Sequence, residues 1–181
     1  IKNLNQISNR LLILAQASSD FAETGFAQVR IDDTIWQARN EVLKRHGNFR
    51  VSVHFSEEID NEDKLTVNGN ELLLRTALVN LIDNGCKYSE DHTVEVHFSW
   101  LDRDVIIQFS DRGIGIPPGE INLIFQPFYR ARNAIGIKGH GIGLSLVEKI
   151  ITLHGGEITI VSEENKGTDI SIRLHTAGYP A

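Results

Sequence analysis

Two short glycine-rich segments, Asp111-Arg112-Gly113-Ile114-Gly115-Ile116-Pro117 and Gly139-His140-Gly141-Ile142-Gly143-Leu144, stand about twenty residues apart in the second half of the chain. A stretch with helical periodicity that carries Asn80 and Asn84 precedes them. Glycine lets a backbone come close to a flat or highly charged ligand because no side chain holds it off. One such segment serves any tight turn. Two of them, one opened by an acid and the other running into a helix, suggest a nucleotide held at both ends.

The periodic stretch spans about residues 71–88, and Leu74, Ala77, Leu78, Leu81 and Ile82 share one apolar arc. Asn80, Asn84 and Lys87, spaced i, i+4, i+7, form a separate polar stripe. Asparagine is a mediocre helix former, so two stacked in mid-helix suggest a use for their amides beyond a solvated face. An asparagine carbonyl suits Mg²⁺, which prefers hard oxygen donors together with phosphate and water. Asp111 is expected directly after a strand, opening a turn. Its carboxylate can accept from an exocyclic amine such as adenine N6, with Gly113 and Gly115 passing close to the base. The second segment opens a helix, whose free N–H groups and positive dipole end attract phosphate. Leu144 and Ser145 stand where the common phosphate loop has its lysine, so that motif is excluded.

The rest of the chain alternates helices and strands. Asp33 is expected to cap a helix over 34–46, with Ile35, Ala38, Val42 and Leu43 inward. Strands are expected at 50–55, 64–67, 93–100, 104–110, 157–162 and 168–175, and a helix over 143–154 stopped by Gly155-Gly156. Residues 117–138 read as loop with one short helix. The pattern predicts a two-layer α/β sandwich, a mixed sheet covered by helices. Before it, Leu4, Ile7, Leu11, Leu14 and Ser18 alternate three and four apart. That fits either a helix capping the main domain or the tail of a dimerising helical hairpin.

Composition narrows the options. A net charge of -6 disfavours nucleic acid as the main partner. One cysteine, Cys86, excludes an internal disulfide and fits a reducing compartment. No apolar run approaches the ~20 residues that span a bilayer. The chain starts at Ile1 rather than Met, which suggests a fragment of a longer protein. The seven histidines are scattered without metal-ligand spacing and are assigned no catalytic role.

In order along the chain, Leu78–Ser89 (LVNLIDNGCKYS), DRGIGIP, Ile124–Ala131 (IFQPFYRA), Gly139–Gly156 (GHGIGLSLVEKIITLHGG) and Lys166-Gly167-Thr168 resemble the N box, first glycine box, F box, second glycine box and final Gly-Thr element of one family. It is the ATP-binding catalytic domain of sensor histidine kinases, in the superfamily of gyrase B, MutL and heat-shock chaperone ATPases. The resemblance covers residues 25–176, implies the Bergerat-type ATP-binding fold, and makes residues 1–20 the end of a dimerisation and phosphoacceptor helix. It implies that Mg-ATP binds and that its γ-phosphoryl group passes to a histidine on a dimerisation domain mostly absent here, for relay to a response regulator receiver domain. A cytoplasmic location and a homodimeric parent are also implied, and an inner-membrane sensor is compatible as that parent without being required.

Transferred residue by residue, Asn84 binds Mg²⁺ and Asn80 lies beside the phosphates. Lys87 approaches a phosphate and Tyr88 packs by the nucleotide. Asp111 recognises adenine, supported by Thr168, with Gly113, Gly115 and Ile116 alongside. Gly139, His140, Gly141, Ile142, Gly143 and Leu144 form the phosphate box. Arg130 reaches the γ-phosphate from a mobile lid anchored by Phe125 and Phe128, on which Arg132 and Lys138 are further cations. Asn80, Asn84 and Arg130 are the expected catalytic residues. Two positions depart from the family pattern. Gly85 replaces an alanine, for which local flexibility is expected, and Arg112 replaces a small or polar residue and is expected over the base. Two alternatives remain: a nucleotide-responsive module without catalysis, and a gyrase- or chaperone-type ATPase. The latter needs a glutamate where Asn80 stands.

Overall fold

The computed structural model describes residues 25–56 and 61–177; the expected helix over 1–20 lies outside them. Strand β1 (Ala27–Arg30) runs into helix α1 (Ile31–Arg45), followed by β2 (Arg50–Phe55), a 3₁₀ turn (Glu62–Leu65), β3 (Thr66–Gly69) and α2 (Glu71–Tyr88). A hairpin of β4 (Ser89–Leu101) and β5 (Asp104–Gly113) comes next, then α3 (Gly143–Leu153) and a hairpin of β6 (Glu157–Glu163) and β7 (Gly167–His175). Five strands form one mixed sheet in the order β2-β4-β5-β7-β6, in which only β2 and β4 are parallel. β1 and β3 pair separately as an antiparallel ribbon.

Alternation explains the two layers. Val94, Val96 and Phe98 of β4 and Val105, Ile107 and Phe109 of β5 are buried, while the residues between them are largely half-buried. Against these packs α2, whose Leu74, Ala77, Leu78, Leu81 and Ile82 are all buried as their periodicity predicts. α1 and α3 flank α2. Each fully buried Leu or Ile stabilises the fold by about 1.5–3 kcal/mol. Asn70 caps α2, its side chain accepting from Leu73 N at 3.2 Å, a contact worth about 1 kcal/mol. Its own backbone N–H donates to His154 Nε2 at 3.0 Å, joining the start of α2 to the end of α3. At that end Gly155 takes φ +67°, and the amides of Gly155 and Gly156 return to Thr152 O and Ile151 O, so the expected glycine stop is present.

The boundaries differ in ways the local chemistry explains. α1 begins at Ile31 with Arg30 at its N-cap, so Asp33 is not the cap. Asp32 and Asp33 instead occupy the first turn, where negative charge complements the helix dipole, and Arg30 pairs with Asp32 at 2.9 Å. β1 was not anticipated: four residues beside a turn carry too little periodicity. β3 begins at Thr66, because Lys64 belongs to the 3₁₀ turn capped by Asn61. β5 runs on to Gly113, so Asp111 lies inside a strand rather than after one.

Candidate functional site

A cavity opens where α2, the ends of β5 and β7, the start of α3 and the 117–138 segment meet. At its floor Asp111 pairs with Val94 on one side and Thr168 on the other. Strand alternation points Asp111 to the helical side, as it does the buried Phe109. Burial pushes its carboxyl up to about 6, although hydrogen bonds from the Gly113 N–H, at 2.9 Å, and the Thr168 backbone favour the charged form. Thr168 Oγ1 lies 2.9 Å from Ser162 Oγ, which donates to Gly167 O and accepts from Ile116 N, each at 2.9 Å. The serine proton is thus committed to Gly167 O, so the threonine hydroxyl donates to Ser162 and keeps its lone pairs for a further donor.

Along α2, Asn80 is buried and donates through Nδ2 to Thr76 O at 2.7 Å, which satisfies its amide nitrogen within the helix. Its Oδ1 faces α3: a Cβ on Gly143 would lie 3.1 Å from it and 3.6 Å from Asn84 Nδ2. Lys87 Nζ sits over the Tyr88 ring, 4.3 Å from its centroid, and 2.8 Å from where a Cβ on Gly139 would stand. A cation therefore lies beside the second glycine segment. α3 starts at Gly143 without a side-chain cap, leaving its first N–H groups to other acceptors.

The glycines serve the backbone first. A Cβ on Gly113 would stand 2.0 Å from Tyr88 O, and one on Gly115, at φ +59°, 2.0 Å from Glu163 O. Their missing side chains admit neighbouring chain, not a base. Gly141, at φ +70°, would carry a Cβ 2.5 Å from Tyr129 O, and Gly141 O accepts from the Phe128 N–H at 2.8 Å.

The 117–138 segment contains turns and, as its one short helix, the 3₁₀ turn Arg132–Ala134. Its apolar anchor is Ile124 with Ala131 and Ala134, all buried. Phe128 is 61% exposed at φ +68°, so it is not an anchor, and Phe125 is only half-buried. Asn133 Nδ2 donates to Ile114 O at 3.1 Å and Gly115 O at 3.0 Å, fastening the segment to the first glycine box. The Arg130 guanidinium donates to the carbonyls of Ala134, Ile135 and Ile137 in its own segment. Arg132 pairs with Glu120 at 3.6 Å and Glu164 at 3.5 Å.

Of the expected site residues, Asn84, Lys87, Tyr88, Asp111, Gly115, Ile116, Arg130, Gly139, His140, Gly141, Gly143, Leu144 and Thr168 line this one cavity. Asn80, Gly113 and Ile142 do not. Asn80 lies behind Gly143, Gly113 is a strand crossing, and Ile142 is a fully buried core residue. Arg112 is exposed and, one residue after Asp111 in β5, alternates to the other face of the sheet, where it borders a groove with Asp91, Glu95, Glu163 and Asp169, so it is not over a base held at Asp111 on the helical side. Gly85 is buried, and a Cβ there would meet Val94 Cγ2 at 2.5 Å; close packing, not flexibility, accounts for it. Sequence reasoning missed Ser162 and Asn133, which no local pattern marks.

The family described as "Histidine kinase-, DNA gyrase B-, and HSP90-like ATPase" matches residues 69–178, more than half of the chain. The chain belongs to this family. Signal transduction histidine-protein kinase ArlS of Staphylococcus haemolyticus is 27% identical over 95% of the chain and 38% of its own length. Sensor histidine kinase RcsC of Escherichia coli is 26% identical over 98% of the chain and 20% of its own length. The chain thus spans well under half of these relatives. A mycobacterial sensor histidine kinase, MprB, superposes with a TM-score of 0.70 at 26% identity, covering 83% of the chain and 97% of that structure. Full-length ShkA in complex with AMPPNP, at 24% identity, gives a TM-score of 0.79 over 99% of the chain and 37% of that structure, and shows the fold alone. The five-box resemblance and the two-layer α/β fold are borne out at the level of the family. No described helix is long and apolar enough to cross a membrane.

Proposed function

We propose that residues 25–176 bind ATP with Mg²⁺ and donate the γ-phosphoryl group to a histidine on a helical dimerisation domain, for relay to a response regulator receiver domain. The convergence of Asn84, Lys87, Asp111 and the second glycine segment on one cavity carries this reading. Asp111 accepts the adenine amine, Lys87 and the free N–H groups opening α3 hold phosphate, and the Asn84 carbonyl supplies one hard oxygen for the metal. Bound there, Mg²⁺ neutralises charge on the phosphates. The histidine nitrogen attacks the γ-phosphorus, the bond to the β–γ bridging oxygen breaks, and ADP departs. The imidazole proton leaves through a base outside the described residues. Such transfer needs positioning and charge neutralisation more than covalent chemistry from the binding domain.

Asn80 argues against a gyrase- or chaperone-type hydrolase, because a carboxamide, unlike a carboxylate, is not basic enough to take a proton from water; its Nδ2 donates to Thr76 O. The direct test incubates the protein with γ-labelled ATP, Mg²⁺ and a dimerisation domain bearing the acceptor histidine. Acid-labile, base-stable label on that domain is expected. ATP binding without label would leave a nucleotide-responsive module, and release of free phosphate alone would mark a hydrolase.

A further inference from the structure

Among the described residues, only two buried side-chain polar atoms lack a hydrogen-bond partner, Arg130 Nε and Asn133 Oδ1. Both belong to residues that line the nucleotide cavity. A buried polar atom without a partner costs about 1–3 kcal/mol, so two such atoms on one short segment call for a specific explanation. For Arg130 the proposed γ-phosphate contact supplies one, since Nε–H is a donor and phosphate oxygens are acceptors. Asn133 Oδ1 is an acceptor and needs the opposite.

The orientation of the Asn133 amide follows from its surroundings. One end faces two carbonyl oxygens, Ile114 O at 3.1 Å and Gly115 O at 3.0 Å, and only an NH₂ group can lie there. The other end is therefore the carbonyl, buried and oriented by that fork. A hydrogen-bonding partner must bring an N–H or O–H; Mg²⁺, the other species such a carbonyl suits, is assigned above to Asn84. At neutral pH the triphosphate of ATP is acceptor-only, which leaves its adenine amine and two ribose hydroxyls as donors. Asp111 takes one hydrogen of the amine; its second hydrogen and the two hydroxyls remain as donors, and an analogue lacking the amine separates them.

Resting on the ATP-binding reading above, we infer that Asn133 is a specificity residue of the lid, its side-chain carbonyl accepting a hydrogen bond from a ribose hydroxyl of the nucleotide. One side chain then links the first glycine box, the lid and the sugar. Closing the lid over a ribonucleotide satisfies Asn133 Oδ1, whereas closing it over a deoxyribonucleotide leaves that atom buried and unpaired. A site built to hydrogen-bond a hydroxyl rejects the analogue that lacks it for this reason.

The test compares dissociation constants of the full chain and its Asn133→Ala variant for ATP, 2′-deoxy-ATP, 3′-deoxy-ATP and the triphosphate of purine riboside, which lacks the amine. Wild type should bind one of the two deoxy analogues roughly five- to tenfold more weakly than ATP. Asn133→Ala should lose a similar factor for ATP and no longer distinguish that analogue. Asn133→Ala also removes the docking bonds to Ile114 and Gly115, but that loss weakens every nucleotide alike and cannot erase a preference. Equal weakening of all four ligands, or no change, would overturn the inference while leaving ATP binding intact. Lost discrimination only against the purine riboside analogue would move the contact to the amine and also overturn it. Failure of wild type to bind ATP at all would remove the underlying functional reading as well.

Discussion

On the cavity floor, Asp111 lies in a strand paired on both sides, and Asn84 projects from an eighteen-residue helix packed between two others. The lid, residues 118–138, contains only turns and a three-residue 3₁₀ segment, fixed by a few hydrogen bonds and the small anchor of Ile124, Ala131 and Ala134. Floor side chains are oriented by secondary structure whose hydrogen bonds exist without a ligand. Lid side chains are oriented by one another: Arg130 by three carbonyls of its own segment, Asn133 by two carbonyls of the glycine box. Rigid placement suits recognition of the invariant parts of a nucleotide. A lid that holds its cation in reserve suits a group that is present before transfer and gone afterwards.

The sharpest break in this comparison is at Asn84. A metal on the phosphates contributes several kcal/mol of charge stabilisation to the transition state, so Asn84→Ala should lower phosphoryl transfer about a thousandfold. Asn84 is half-buried and its side chain faces the cavity, so thermal unfolding should stay near wild type. Single-turnover transfer at saturating Mg²⁺ reads the first, calorimetry the second. Transfer at the wild-type rate would remove Asn84 from the site.

Asp111 tests the floor through two readouts of opposite sign. Its carboxyl is raised to about 6 by burial, so the empty folded protein holds this proton more tightly than the unfolded chain does. The associated stability is present below the unfolded value near 4 and is lost as pH rises through about 6. Asp111→Asn removes the buried charge and should stabilise the empty protein at pH 7. The same change weakens acceptance from the adenine amine and should cost about ten- to a hundredfold in ATP affinity. For wild type, ATP affinity should fall by up to about tenfold per pH unit below 6, as the carboxylate takes up its proton. An affinity flat between pH 5 and 8 would exclude Asp111 as the ionised acceptor.

These differences also mark what the sequence made legible. Period 3.6 in α2 and period 2 in β4 and β5 are repeated signals, and Leu74, Leu78, Val96 and Ile107 are buried where those periods put them. The polar stripe and the two glycine segments marked Asn84, Lys87, Asp111 and the lining glycines, and the family resemblance marked Tyr88, Arg130 and Thr168, all on the same cavity. The lid has no period, so its anchor at Phe125 and Phe128 rested on the family resemblance alone, while φ +68° turns the Phe128 ring outward and smaller residues lie beneath. Gly85 was read as a flexible point because its neighbour across the layers, Val94, is nine residues away and invisible to helix periodicity. Asn133 carries no sequence signal, since its importance comes from two carbonyls brought near it only by folding.

Gly85 supplies a smaller test of floor rigidity. Alanine is favoured over glycine in a helix by about 1 kcal/mol. Here its Cβ would stand 2.5 Å from Val94 Cγ2 and 2.9 Å from Val94 Cβ, and overpacking of that kind costs about 1–3 kcal/mol. Gly85→Ala should therefore destabilise by up to about 2 kcal/mol in denaturant unfolding. In a Val94→Ala background the same change should cost less, because the 2.5 Å approach to Cγ2 is gone and only the 2.9 Å approach to Cβ remains. An equal cost in both backgrounds would mean that the Val94 methyls are not the limiting contact.

The smallest effect is expected in the lid, where it tests the comparison most directly. Arg130 is held by Ala134, Ile135 and Ile137 carbonyls, and a γ-phosphate must compete with them for the guanidinium. The guanidinium is charged in both arrangements, and only the phosphate adds an opposite charge to its bonds, so the exchange is favourable but modest. Amides 129–138 should exchange hydrogen several-fold more slowly with a non-hydrolysable ATP analogue and Mg²⁺ than in the empty protein, and much less so with ADP. Floor amides of β5 should change little with either nucleotide, because their ladder partners are already in place. Arg130→Ala should abolish the difference between the two nucleotides while leaving protection at the floor unchanged. Equal lid protection by ATP analogue and ADP in wild type would mean that Arg130 does not sense the transferable group, and the division between a fixed floor and a γ-phosphate-reading lid would fail.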